Sequence, residues 1–314
     1  MALVVNTNIA SMNAQRSLAA NTNDMKTAME RLSTGKSINS AADDAAGFAI
    51  SETMTAQIRG LSMAAKNSSD ALGLLKVIEN ATNDVTDMLQ RIRELAVQAN
   101  SGTNSTGDIA NLQKEAEALM DEIERVSQDT TYNNQAYLGA GADALVGGQV
   151  KVQVGYNDGD VIDVGVYNIH TGNLGHRSVD AGTGAVTFAS DTANESLTWD
   201  DAGTKKYLDI TLQQTLDGSG AVTAPGALQV ISDAITQVAS YKAEWGALQN
   251  RLEYTVSNLM NVVEFTSAAR SRIQDADFAV EAANLAKAQV LQQTGTAMLA
   301  QANAAPQLAL QLLK

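Results

Sequence analysis

Apolar residues recur along the chain at two different periods, and the change of period divides it into three parts. From Asp44 to Gln98 there is no proline, and Met54, Ile58, Leu61, Ala65, Leu72, Leu75, Ile78, Val85, Met88, Ile92 and Leu95 follow one another mostly at steps of three, four or seven. Such spacing lays one apolar stripe along a helix, and at ~1.5 Å per residue that helix runs on the order of 80 Å. A stripe that long has to be covered. Two partners are visible: a shorter helix carrying Leu112, Ala116, Leu119, Ile123 and Val126, and a later one carrying Leu228, Ile231, Ile235, Val238, Trp245, Leu248, Leu252, Val256, Leu259 and Val263. Both read as heptad-like seams.

Between these partners the period falls to two. Gln149 to Tyr167 alternates apolar and polar residues around Asn157-Asp158-Gly159-Asp160, which predicts a β-hairpin with a tight turn. From His170 to Pro225 the chain is rich in Gly, Thr, Asp and Ser, with short alternating runs at Ala185–Phe188 and Tyr207–Leu212, and reads as a small β-rich insertion. The later helices need the earlier ones to bury their apolar faces, so the two ends fold together and the middle becomes an outward excursion. The predicted fold class is mainly α with a β-rich outer part, in a chain folded back on itself.

The extreme ends are thinner. Ala14 to Leu32 offers Leu18, Met25, Ala28 and Leu32 and stops at Gly35, a helix C-cap signal. Ala282 to Leu313 contains one charge, Lys287, and its apolar positions Leu285, Leu291 and Met298 give a sparse seam. Neither stretch buries enough area alone to offset its ordering entropy. Both ends are therefore expected to be loose in a monomer and to order when many copies pack. Leu18, Met25, Leu32, Leu285, Leu291 and Met298 are the expected assembly seam. A repeated head-to-tail contact that does not close a ring builds an open helical filament.

Composition narrows the function. The 314 residues are enough for two domains. A net charge of −14 excludes a nucleic-acid partner, which needs clustered Lys and Arg. Without cysteine there are no disulfides and no thiolate chemistry. The start, Met1-Ala2-Leu3-Val4-Val5-Asn6-Thr7-Asn8, lacks the basic flank and apolar run of a signal peptide, and no window reaches the ~18 to 20 apolar residues of a membrane span.

The candidate chemistry is weak throughout. Gly35-Lys36-Ser37 imitates the end of a phosphate-binding loop, but position 30 is Glu30 where that loop needs glycine. Gly139-Ala140-Gly141-Ala142-Asp143-Ala144 imitates a dinucleotide fingerprint without the framing strand and helix. The paired carboxylates Asp43 and Asp44 precede the long helix, where its dipole favours negative charge. His170 and His176, the two histidines, fall in no zinc motif. No catalytic residue, cofactor or metal ligand is assigned, and the sequons at Asn67, Asn80, Asn104 and Asn194 receive no role.

Four segments add a resemblance. Leu32-Ser33-Thr34-Gly35-Lys36-Ser37-Ile38-Asn39-Ser40-Ala41-Ala42-Asp43-Asp44-Ala45-Ala46-Gly47 resembles the N-terminal signature of bacterial flagellins. Gln90-Arg91-Ile92-Arg93-Glu94-Leu95-Ala96-Val97-Gln98 and Ser267-Ala268-Ala269-Arg270-Ser271-Arg272-Ile273-Gln274-Asp275-Ala276-Asp277-Phe278 are similar to later family motifs. The run Gln289-Val290-Leu291-Gln292-Gln293-Thr294-Gly295-Thr296 through Asn303 is similar to the closing one. Together the likeness covers roughly residues 1 to 168 and 226 to 314.

The resemblance implies a subunit of the extracellular flagellar filament with three parts. Residues 1–44 and 273–314 would form a terminal coiled-coil inner domain, and 45–172 with 224–272 a helical rod domain with a β-hairpin. Residues 173–223 would be a small surface-exposed β-rich insertion, too short for a large outer domain. The implied partners are other copies of the chain, a cytoplasmic export chaperone on the C-terminal segment, the type III export apparatus, and the hook-associated junction and cap proteins.

The resemblance also implies recognition of released monomer by the vertebrate innate immune receptor for flagellin, with Arg91, Leu95 and Glu115 at the recognised positions. From the residues alone, Leu95 closes the helical seam while Arg91 and Glu94 lie on its solvated side, and in a filament these positions are expected to serve subunit packing first. The readings kept beside the filament subunit are a hook-filament junction protein, an enzyme, and a dedicated adhesin or signalling ligand.

Overall fold

The computed structural model describes residues 8–139, 149–172, 174–175, 178–179, 186–187, 197–201, 204–213, 215–216, 222–224 and 226–312. His176 and positions 140–144 of the Gly/Ala run lie outside them. Three helices lead: α1 (Ile9–Thr34), α2 (Ala45–Ala99) and α3 (Thr106–Asp129). Among the described residues short strands follow: β1 (Thr131–Tyr132), β2 (Gln135–Ala136), β3 (Gln149–Gln153), β4 (Val161–Gly165), β5 (Ser178–Val179), β6 (Val186–Thr187), β7 (Thr198–Asp201), β8 (Thr204–Tyr207), β9 (Thr215–Leu216) and β10 (Val222–Ala224). Two long helices close the chain, α4 (Ala227–Gln274) and α5 (Phe278–Leu312). The predicted class, mainly helical with small antiparallel hairpins, is the one observed.

Helix ends sit where local side chains satisfy the free backbone groups. Asp44 Oδ1 accepts from the amides of Ala46 and Gly47, both at 3.1 Å, and so starts α2 as the carboxylate pair suggested. Ser105 and Asp108 form a reciprocal capping box on α3. Gly35 ends α1 with φ of 71°, and its amide donates to Arg31 O at 2.9 Å. Asp43 Oδ2 gathers the amides of Asn39 and Ser40 and the Ser40 hydroxyl, which hold its carboxyl below the ordinary range.

The chain divides into two compact units. The first comprises residues 1–60 and 261–314, the second residues 61–260. In the second, one apolar cluster joins Leu75, Ile78, Leu89, Ile92 and Leu95 of α2 to Met120 and Ile123 of α3 and to Ile231, Val238, Trp245 and Leu252 of α4. The predicted hairpin is present: β3 and β4 pair antiparallel from Gln149 opposite Gly165 to Gln153 opposite Val161. Trp245 Nε1 donates to Gly165 O at 2.9 Å, tying the end of β4 to α4. Beside it Tyr167 and Tyr241 stack with centroids 4.0 Å apart, and Tyr167 donates to the Glu244 carboxylate. Burial, then that carboxylate, pushes the Tyr167 phenol upward.

The insertion is rooted in the same core. Leu174, Leu197, Leu208 and Ile210 are fully buried members of it. Their backbones are stitched in series: the Leu197 amide donates to Leu174 O, and the Leu208 amide to Leu197 O. Gly175 has φ of 90°, and a Cβ there would lie 2.7 Å from Val230 Cγ1, so this close approach to α4 requires glycine. Of the two alternating runs, Val186–Thr187 is strand β6. The other departs from a strand: β8 stops at Tyr207, and the alternation of Leu208 and Ile210 buries two anchors instead.

Candidate assembly and recognition surfaces

Two surfaces gather the residues singled out by the sequence. The first lies in the unit of residues 1–60 and 261–314, where α1 and α5 pack against each other in antiparallel fashion. Asn8 Nδ2 donates to Ala302 O at 2.7 Å, and Ser11 Oγ to Asn303 Oδ1 at 2.8 Å. Asn21 Nδ2 donates to Ala288 O at 2.8 Å and to Gln292 Oε1 at 3.3 Å. Arg31 Nη1 reaches Glu281 Oε1 at 3.0 Å. Beyond the helices, the amide of Ser37 donates to Gln274 O and that of Ala276 to Gly35 O, closing the unit at that end.

The buried residues of this seam are small or polar. On α1 they are Ser11, Asn21 and Ala28; on α5 they are Glu281 and Ala288. Leu18, Met25, Leu32 and Leu285 are half-buried, whereas Leu291 and Met298 are exposed at 47% and 65%. Ile9, Met12 and Met29 on α1 and Phe278, Val280 and Val290 on α5 are exposed as well. A helix apolar on several sides requires more than one neighbour to cover it.

The second surface lies on the unit of residues 61–260. Arg91 donates through Nε and Nη2 to Glu115 Oε1, at 3.1 and 2.8 Å, and through Nη1 to Glu94 Oε2 at 3.0 Å. The Glu115 bond first, and then Glu94, hold the guanidinium above its ordinary value. Arg91 and Glu115 are thus brought together at the surface. Leu95 is not beside them: it is buried in the core and supports the helix from below. An adjacent open groove of about 580 Å³ is lined by Gln90, Arg93, Glu94, Val97, Gln98 and Ile235.

Among the described residues no group of three His, Asp or Glu is placed to hold a metal ion. His170 Nε2 instead meets Glu124 Oε1 at 3.2 Å, and its Nδ1 accepts the Gly172 amide. No described helix is long and apolar enough to cross a membrane.

Residues 5–142 match the bacterial flagellin N-terminal helical region, and residues 228–313 match the bacterial flagellin C-terminal helical region. The chain belongs to the bacterial flagellin family. It is 38% identical over 312 residues to a flagellin of Halalkalibacterium halodurans, with 99% of this chain and all of the relative covered. It is 38% identical over 318 residues to a flagellin of Bacillus subtilis, with 99% of both chains covered. A crystal structure of Bacillus cereus flagellin aligns with a TM-score of 0.42 and 22% identity, covering 62% of this chain and 88% of that one. As a flagellin the chain is a structural subunit of the flagellar filament, an extracellular polymer of its own copies.

Proposed function

We propose that the filament is held together mainly through α1 and α5, with Leu18, Met25, Leu32, Leu285, Leu291 and Met298 supplying apolar contacts within and between copies. One observation carries this reading: α5 leaves Phe278, Val280, Val290, Leu291 and Met298 exposed on a helix whose only fully buried described residues are Glu281 and Ala288. Covering one such side chain gives roughly 1.5 to 3 kcal/mol, and repetition along a polymer multiplies that gain. The role is mechanical, not enzymatic: stacked copies form a tube that transmits hook rotation as thrust.

The test is seeded growth. Monomer added to short filament seeds should extend them into long tubes, and a variant lacking residues 1–30 and 285–314 should not. Growth of a single layer that then stops would replace this reading with the junction-protein one.

The apolar ends also favour a chaperone on the C-terminal segment before type III export, and cap and junction proteins at the ends of the polymer. For released monomer, the exposed Arg91–Glu115 pair and the neighbouring groove support recognition by the vertebrate innate immune receptor, with Leu95 shaping the surface from within. A direct binding assay tests this. Monomer should bind, and Arg91→Ala should weaken binding; absence of binding by both removes the claim.

A further inference from the structure

We infer that the polar residues between α1 and α5 form a register code that selects one pairing of these helices and rejects slipped or exchanged ones. The inference rests on the filament reading for its purpose and on the seam for its content. In a polymer every α1 is surrounded by many copies of α5. Two thin helices with small and apolar seams could pair in several registers of nearly equal energy, and across chains as well as within one. Something in the seam has to break that degeneracy.

The structure places a polar rung near each end and one in the middle. Ser11 meets Asn303, Asn21 meets Gln292, and Arg31 meets Glu281. Thr22 Oγ1 adds a second donor to Gln292 Oε1 at 3.2 Å. Ser11, Asn21 and Glu281 are all buried, so each is costly without a partner; Asn21 has the Ala288 carbonyl beside Gln292, while Glu281 relies on Arg31 across the seam. Between the rungs Gly295 lets the helices approach: a Cβ there would lie 3.2 Å from Leu18 Cδ1.

Sliding α5 by one heptad breaks the Asn21–Gln292 and Arg31–Glu281 matches. One direction sets Asn21 opposite Leu285, Gln292 opposite Ala14 and Glu281 opposite Asp24, a buried amide against a hydrocarbon and a carboxylate against a carboxylate. The other sets Asn21 opposite Leu299 and Arg31 opposite Ala288. Either slip strands buried Glu281 and leaves Asn21 with a backbone carbonyl only, much as a single polar seam residue fixes register and partner number in coiled coils.

These rungs contribute more to selection than to strength. Arg31 Nε is buried without a hydrogen-bond partner, so even the matched ion pair is imperfectly satisfied. Even a fully buried pair is often no more stabilising than well-packed apolar residues of the same volume, and here the arginine is only half-buried. A seam chosen only for stability would carry leucine at positions 21 and 292.

The absence of cysteine from the sequence makes the register directly measurable. Leu18→Cys with Gly295→Cys reports the native register; Leu18→Cys with Ala288→Cys, or with Ala302→Cys, reports the two slips. Disulfide yield is read in the full chain under reversible oxidation, both in solution and in seeded filaments. The parent should favour the native pair, and Asn21→Leu/Gln292→Leu should lower the native-to-slipped ratio about tenfold, the effect of one unmatched buried polar rung. Adding Arg31→Leu/Glu281→Leu should abolish the preference and raise the share of interchain disulfides, while the helices remain formed by circular dichroism. A native-to-slipped ratio unchanged by the double and quadruple substitutions would overturn the inference, whether or not the helices were destabilised. Seeded growth of the parent is scored separately: its failure would count against the filament reading, while the disulfide ratio would still decide the register.

Discussion

The two units of this molecule bury opposite kinds of side chain. The unit of residues 61–260 encloses Leu75, Ile78, Leu89, Ile92, Leu138, Ile231 and Trp245 in one continuous cluster from α2, α3, α4 and the strands. In the unit of residues 1–60 and 261–314, the contact of α1 with α5 fully buries alanine, serine, asparagine and glutamate, while Leu18, Met25, Leu32 and Leu285 are half-buried and Met12, Phe278, Leu291 and Met298 exposed. Each large aliphatic group buried in the former gives roughly 1.5 to 3 kcal/mol, whereas a matched hydrogen bond in the latter gives about 1 kcal/mol net. The first pattern makes a unit that is stable alone. The second makes one whose stability depends on neighbours.

The largest effect on the comparison should come from the aliphatic core. Leu89→Ala removes a fully buried side chain from the core and should cost about 2 to 5 kcal/mol in denaturant unfolding of the 61–260 unit. On α5 the expectation inverts. Met298→Asp, at an exposed position, should change monomer stability by about 0.5 kcal/mol or less and still stop seeded growth, because it sets a charge where another copy must cover the helix. If the variant elongated at the parental rate, Met298 would not be an assembly contact.

Acid sharpens the contrast more gently. The Asp43 carboxyl, held down first by the Ser40 and Asn39 amides, and that of Asp108, held down by Ser105, both lie below their ordinary value of 3.8 when folded. Their contribution is therefore fully present above about pH 4 and lost as pH falls through the lower folded values. Asp108→Asn should reduce the thermal midpoint at pH 7, and the difference from the parent should vanish at the acid end. A difference that persisted there would assign Asp108 a role other than its charge. The smallest effect on stability belongs to Arg91→Ala: its ion pairs are exposed, so the thermal midpoint should not move measurably while receptor binding weakens.

Large apolar residues made much of this fold legible. α2, α3 and α4 carry leucine, isoleucine and valine at helical spacing, and the Asp158-Gly159 turn marks the β3–β4 hairpin, with Gly159 at φ of 91°. The α5 seam was legible only at half-buried Leu285, because the residues around it, Glu281, Ala288, Gln292 and Gly295, are not large apolar ones. A search for leucine and methionine selects Leu291 and Met298, which α5 leaves exposed. The β1–β2 hairpin was also missed. Its signal was the pair Asn133-Asn134, both at positive φ, as a two-residue hairpin turn requires. The two units divide inside α2 and α4, after Gly60 and before Asn261, where a lone glycine at the first point and none at the second mark no loop in continuous helices. On the recognition surface, Arg91 and Glu115 were paired only through family resemblance, because an ion pair that spans two helices has no local pattern.

The central claim is that α1 and α5 depend on other copies while the 61–260 unit does not, and amide hydrogen exchange of monomer and filament tests it most directly. The account requires α2, α3 and α4 amides within 61–260 to be protected in both states, and α1 and α5 amides to exchange rapidly in monomer and slow by orders of magnitude in filament. Equal, strong protection of α1 and α5 in the monomer would contradict it.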